Sequence, residues 1–134
     1  MTQQQILPAQ INGTLGGGGG PGVLTAHISG VLAVGAGGNV FYNDTGSDIE
    51  IATVRVSVVN PPLGSAATFD VNLEGTTIFT TQPNRPSIPA SQTTSGAAVP
   101  DVTVWPAGQK LTADVDAIGS SFAGSFATLQ IGLA

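Results

Sequence analysis

"IEIATVRVSVVN", residues 49–60, decides the fold. Ala52, Val54, Val56 and Val58 fall on one side, and Ile49, Ile51, Thr53, Arg55 and Ser57 on the other. That two-residue period is the signature of a β-strand, whose successive side chains point to opposite faces. The Val- and Ile-rich make-up suits a pleated, half-buried surface. The same pattern recurs on both sides of this segment. In "VLTAHISGVLAVG" (23–35), Leu24, Ala26 and Ile28 alternate with Val23, Thr25 and His27. "GNVFYN" (38–43) is a short aromatic strand ended by the turn signal "NDTGSD" (43–48). "NPPLGS" (60–65) is a loop, because Pro61 forces Asn60 out of helical conformation.

"AATFDVNL" (66–73) turns Phe69, Val71 and Leu73 inward and Asp70 and Asn72 outward, and "TTIFTT" (76–81) follows the Glu74-Gly75 turn. "DVTVW" (101–105), "QKLTADVDAIG" (109–119) and "SFATLQIGLA" (125–134) complete the series, with Leu111, Ala113 and Val115 opposite Thr112, Asp114 and Asp116. No helical stripe of useful length interrupts it. About eight short strands with regular turn signals predict an all-β sandwich or barrel. Their uneven connections favour a single jelly-roll-like β-sandwich over a simple meander.

Composition bounds the function. The 134 residues include 41% hydrophobic and only 8% charged residues, with a net charge of −5 and no cysteine. Three basic residues, Arg55, Arg85 and Lys110, leave no footprint for nucleic acid and disfavour anionic membranes. No apolar run approaches the roughly 18 residues of a spanning helix. Without cysteine there are no disulfides and no thiolate metal sites.

Residues 1–22 read as an extended N-terminal arm before a sandwich domain at 23–134. The arm carries a short apolar patch, Ile6, Leu7 and Ile11, followed by Gly16–Gly20. Two readings are open. One is a disordered tail ending in a flexible linker; the other is a tether whose apolar patch docks on a neighbour while the glycines give slack. The first residues lack the basic and apolar regions of a signal peptide, so secretory export is not expected.

Candidate chemistry is sparse. His27 is the one histidine, with no "GxSxG" elbow to serve, and reads as a strand residue in packing or at an interface. Asp114 and Asp116 share a strand face and, with Asp44, Asp48, Glu50 or Asp70, form a conceivable calcium set, but the spacing matches no calcium loop. The glycine run lacks the Lys-Ser/Thr of a phosphate loop. An enzyme is therefore not expected, and no cofactor or metal is assigned. Trp105 and Tyr42 read either as rim packing or as aromatic platforms for sugars. The segment "TTQPNRPSIPASQTTSGAAVP" (80–100) holds four prolines and one charge, Arg85. Prolines pre-set the backbone, so an ordered excursion is expected there. Arg85 is read as either a solvated side chain or the partner of a carboxylate across a subunit contact, with Pro86 and Ile88 beside it.

The runs "VRVSVVNPPLGSAATFDVNLEGTTIFTT" (54–81), "NRPSI" (84–88), "PDVT" (100–103) and "AGQKLTADVDAIGS" (107–120) together resemble a small β domain of tailed-bacteriophage virion proteins, over about residues 49–134. One departure is "LEGTT", where Asn-Gly would make the stronger hairpin turn. The resemblance implies a jelly-roll-like structural or adhesive virion component with no catalytic residues. It implies a homotrimer, as either a capsid decoration or short head-fibre protein held to other virion proteins by Ile6, Leu7 and Ile11 of the arm. The alternative it implies is a tail-tip or fibre module that recognises host surface carbohydrate through Trp105 and Tyr42.

Overall fold

The computed structural model describes residues 22–134. The arm patch Ile6, Leu7 and Ile11 lies outside them. The described chain runs through β1 (Val23–Val31), β2 (Gly35–Tyr42), β3 (Ile49–Asn60), β4 (Ala67–Leu73), β5 (Thr76–Thr77), a 3-10 turn (Gln82–Asn84), β6 (Ser87–Ile88), β7 (Thr94–Ala98), β8 (Val104–Trp105), β9 (Lys110–Ala117) and β10 (Ser125–Leu133). These strands form two antiparallel sheets. One has the order β1-β10-β3-β7, with β8 also on β3; the other has the order β2-β9-β4-β5, with β6 also on β4. Successive strands β1 to β4 switch sheet at each step, and the last two then fill the interior slots. The expected β-sandwich is present.

The core lies between the layers. Val54, Val56 and Val58 of β3, Ala127, Leu129 and Ile131 of β10 and Ala26 of β1 meet Phe69 and Val71 of β4 and Leu111, Ala113 and Val115 of β9, all at most 7% exposed. Period-two alternation therefore placed most of the inner face correctly. It fails in β3, where Ile51 and Val54 are both buried although alternation puts them on opposite sides. The register explains this: Gly132 faces Thr53 but Leu133 faces Ile51, so Ala52 is an extra residue. This bulge brings Ile51 and Val54, on either side of the slip, to the same inner face. Gly132 permits it, because a Cβ there would stand 2.7 Å from the Thr53 hydroxyl.

The hairpin after β4 forms with Glu74 at φ 48° and Gly75 at φ 84°, the two left-handed positions of a tight primed turn. Asparagine would tolerate the first position better than glutamate. The backbone N–H of residue 74 donates to the Lys110 carbonyl at 3.0 Å whatever the side chain, but the longer glutamate adds a bond: its carboxylate accepts the Lys110 N–H at 2.8 Å.

The proline-rich excursion is ordered and laces the layers together. Ser87 and Ile88 pair with Thr68 and Ala67 in one sheet, and Thr94, Ala97 and Ala98 pair with Ser57, Arg55 and Val54 in the other. Pro86 is buried and its carbonyl accepts the Phe69 N–H at 2.9 Å, while Ile88 is 0% exposed. This corrects the expectation that Pro86 and Ile88 serve a subunit contact: both are enclosed by their own chain. The segment supplies β6 and β7, which raises the strand count above the eight expected.

Candidate functional site

The two outer faces of the sandwich differ in chemistry. On the β2-β9-β4 sheet, cross-strand register aligns Tyr42 with Lys110, Val40 with Thr112 and Asn72, and Ala36 with Asp114 and Asp70. Asp70 and Asp114 are thus directly opposed, an arrangement that destabilises a sheet unless each charge is compensated. Compensation is local in every case. Asp70 Oδ1 accepts the Val71 N–H at 2.8 Å and the Thr77 hydroxyl at 2.7 Å. Asp114 accepts the Asn72 amide. Asp116 pairs with Arg85 Nη1 at 2.7 Å, and Arg85 Nε reaches the Gln82 carbonyl at 2.9 Å.

Asp70 is only 6% exposed. Burial pushes its carboxyl above the ordinary 3.8, against the pull of the Thr77 hydroxyl and the Val71 N–H; nearby Asp116 adds to the rise and Arg85 opposes it. An acid raised in the fold holds its proton more tightly there than in the unfolded chain. Its stabilising contribution is full below 3.8 and is lost as pH climbs through the raised value. Asparagine keeps both acceptor roles through its Oδ1 and carries no charge. Asp70→Asn is therefore expected to be at least as stable as the parent at pH 7 and equal to it at low pH. Urea unfolding at both pH values checks this, and a variant weaker at pH 7 would show the ionised carboxylate to be favourable. Exposed Asp101 behaves in the opposite sense: the Thr81 N–H at 2.7 Å lowers its carboxyl, so its contribution fades as pH falls.

The outer face of the β1-β10-β3-β7 sheet is nearly free of charge. Its cross-strand rows are Val23, Gly132 and Thr53; then Thr25, Gln130, Arg55 and Ala97; then His27, Thr128, Ser57 and Thr94. Arg55 is the charged residue of these rows and bonds the Thr94 hydroxyl at 3.1 Å; Glu50 lies at the rim beyond the β3 bulge. At the other end Phe126 projects between Ser125 and Ala127, beside Val59 and near Val31, with exposures of 52%, 70% and 65% in that order. Phe126 has φ 57°, the left-handed region that an aromatic residue rarely occupies.

The structure separates the residues singled out in the sequence. His27 Nδ1 lies 3.2 Å from the Thr128 hydroxyl on the charge-poor face, remote from the Asp70–Asp114–Asp116 row on the other sheet. Among the described residues no three His, Cys, Asp or Glu side chains are placed to hold a metal ion, and no helix is long and apolar enough to cross a membrane. Trp105 is 2% exposed, donates its indole N–H to the Gln109 carbonyl at 2.8 Å and accepts the buried Asn43 amide on its own carbonyl at 2.8 Å. This rules it out as a sugar platform in this fold. Tyr42 is 58% exposed on the acidic face, whereas Trp105 is enclosed. Arg85 finds its carboxylate, Asp116, within its own chain, so no subunit contact is needed to pair it.

Phe126 was not singled out from the sequence, where it sits in a strand pattern like any other aromatic. The signal available was "FAGSF" (122–126), a glycine next to a strand start, which marks an irregular ladder. No protein-family model, curated protein or solved structure matches this chain.

Proposed function

We propose that this chain is a structural virion protein of a tailed phage, a homotrimeric capsid decoration or short head-fibre protein attached through its N-terminal arm after assembly in the host cytoplasm. One observation carries the reading. The polar groups that chemistry would need are tied up in bonds within the chain, while one whole sheet face offers Thr, Ser, Val and Phe with almost no charge. Such a face packs on protein with little desolvation penalty, because interface centres are depleted in charge. The strand order also supports it. Two sheets ordered β1-β10-β3-β7 and β2-β9-β4-β5 are what two interleaved Greek keys produce, and we read the sandwich as a jelly roll.

The arm is tested by deletion. Removing residues 1–20 is expected to abolish binding to phage particles while shifting the melting temperature of the sandwich by no more than about 2 °C. Undiminished particle binding would remove the arm from the reading. A virion reconstruction would locate the protein directly.

A second reading, a tail-tip or fibre module binding host carbohydrate, is favoured by one feature: exposed Tyr42 shares a flat face with Lys110, Thr112 and the Asn72–Asp114 pair. Stacking on an aromatic with nearby amide and carboxylate groups is how shallow sugar sites work. Glycan binding lost in Tyr42→Ala would establish it, and a protein blank across a glycan panel would dismiss it.

A further inference from the structure

We infer that a second copy of this chain packs on the outer face of the β1-β10-β3-β7 sheet, with Phe126, at one end of that face, as the main apolar anchor of the contact. The inference rests on the assembly reading above and names the surface and its occupant. Charge distribution points there first. Asp70, Asp114, Asp116, Lys110 and Arg85 belong to the other sheet or lie against it, whereas this face carries Arg55 and, at its rim, Glu50. The chain has a net charge of −5, so copies approaching through the acidic face repel each other. The charge-poor face lets them meet without desolvating carboxylates.

Strain points to the same place. A non-glycine residue held in a sparsely populated backbone region is strained, and such residues cluster where structure is used for binding. Phe126 sits at φ 57° yet directs its ring outward, half exposed, instead of into its own core. Val59 and Val31 extend the apolar surface around it. Burial of this group by another copy gives the strained conformation a purpose that the single chain lacks.

Size is adequate. Four strands spaced about 4.8 Å apart and about nine residues long at roughly 3.3 Å each span about 19 by 30 Å. Covering that area on both partners buries about 1,100 Å², just above the roughly 1,000 Å² a specific interface needs. Edge pairing is a poorer route. The Asn39 amide donates to the His27 carbonyl at 2.9 Å and closes the free edge of β1 at mid-strand.

Sedimentation velocity of the full chain tests the inference, using Phe126→Asp, Val59→Lys and, on the opposite sheet, Val40→Lys. The parent and Val40→Lys are expected to form the same multimer. Phe126→Asp and Val59→Lys are expected to shift to the 13.3 kDa monomer, with the dissociation constant raised about 30-fold. Aspartate enters the left-handed region more readily than phenylalanine. The Phe126→Asp monomer should therefore melt no lower than the parent measured as a monomer, whereas a core role for Phe126 would lower it. Two results overturn the inference: both face variants sedimenting like the parent, or a parent still monomeric at about 100 µM. A monomeric parent that still binds particles through its arm would sink this face and leave the attachment reading standing. Multimers broken by Phe126→Asp, without particle binding by any variant, would do the reverse.

Discussion

Trp105→Ala is expected to lower the unfolding free energy by about 4 kcal/mol, a large share of what a domain of this size possesses. The side chain is 2% exposed beneath the turn that leads into β9, and its removal leaves a cavity that the surrounding backbone cannot collapse to fill. The Gln109 carbonyl also loses its indole partner. Trp105→Phe restores most of the volume but not that hydrogen bond, and should lose only about 1–2 kcal/mol. Tyr42→Ala, on the surface, should stay within about 0.5 kcal/mol. Urea unfolding followed by circular dichroism compares the three. A loss below about 1 kcal/mol in Trp105→Ala would mean that the indole is not a core group and would return it to the list of ligand contacts.

Gly119→Ala should be nearly as damaging, for a backbone reason. A Cβ at this position would stand 2.0 Å from the Phe122 carbonyl oxygen and 2.8 Å from both the amide nitrogen and the carbonyl oxygen of Leu63. None of these is a side chain that can swing aside. They belong to the bridge in which the Leu63 N–H donates to the Phe122 carbonyl and the Ser121 N–H donates to the Leu63 carbonyl, each at 2.9 Å. Opening this bridge loosens the loop that sets the start of β10, so about 3 kcal/mol and a melting temperature about 10 °C lower are expected. Gly38→Ala is the comparator. It meets nothing within 4 Å but has φ 80°, so only the conformational penalty of about 1 kcal/mol applies. Equal melting temperatures for the two variants would show that the close approach at Gly119 is absent.

The elements were largely legible in the chain. Alternation identified β3, β4, β9 and β10 and the core residues Phe69, Val71, Leu111, Ala113 and Val115, because a half-buried strand imposes a period of two on its sequence. Other features were not legible, each for a reason that involves a distant residue. Ile51 is buried because of a bulge in its register against Gly132 and Leu133, on another strand. Asp70 alternates outward as expected and is nonetheless enclosed, because Thr77 and the excursion that follows close over it. Arg85 meets Asp116, 31 positions away, through a fold-back that no local pattern announces. The candidate surface was half legible: a low content of charge is a property of the sequence, but its concentration on one sheet is not.

By itself, then, the sequence determined that this is a two-layer β protein poor in charge, because strand period and composition are local quantities written residue by residue. Only the tertiary structure decided which face would be acidic and which neutral, and that Pro86, Ile88 and Trp105 would be enclosed while Phe126 stands out at its left-handed bend. Those outcomes depend on register and on strand order between segments far apart in the chain. A shift of one residue in either would exchange the inside for the outside.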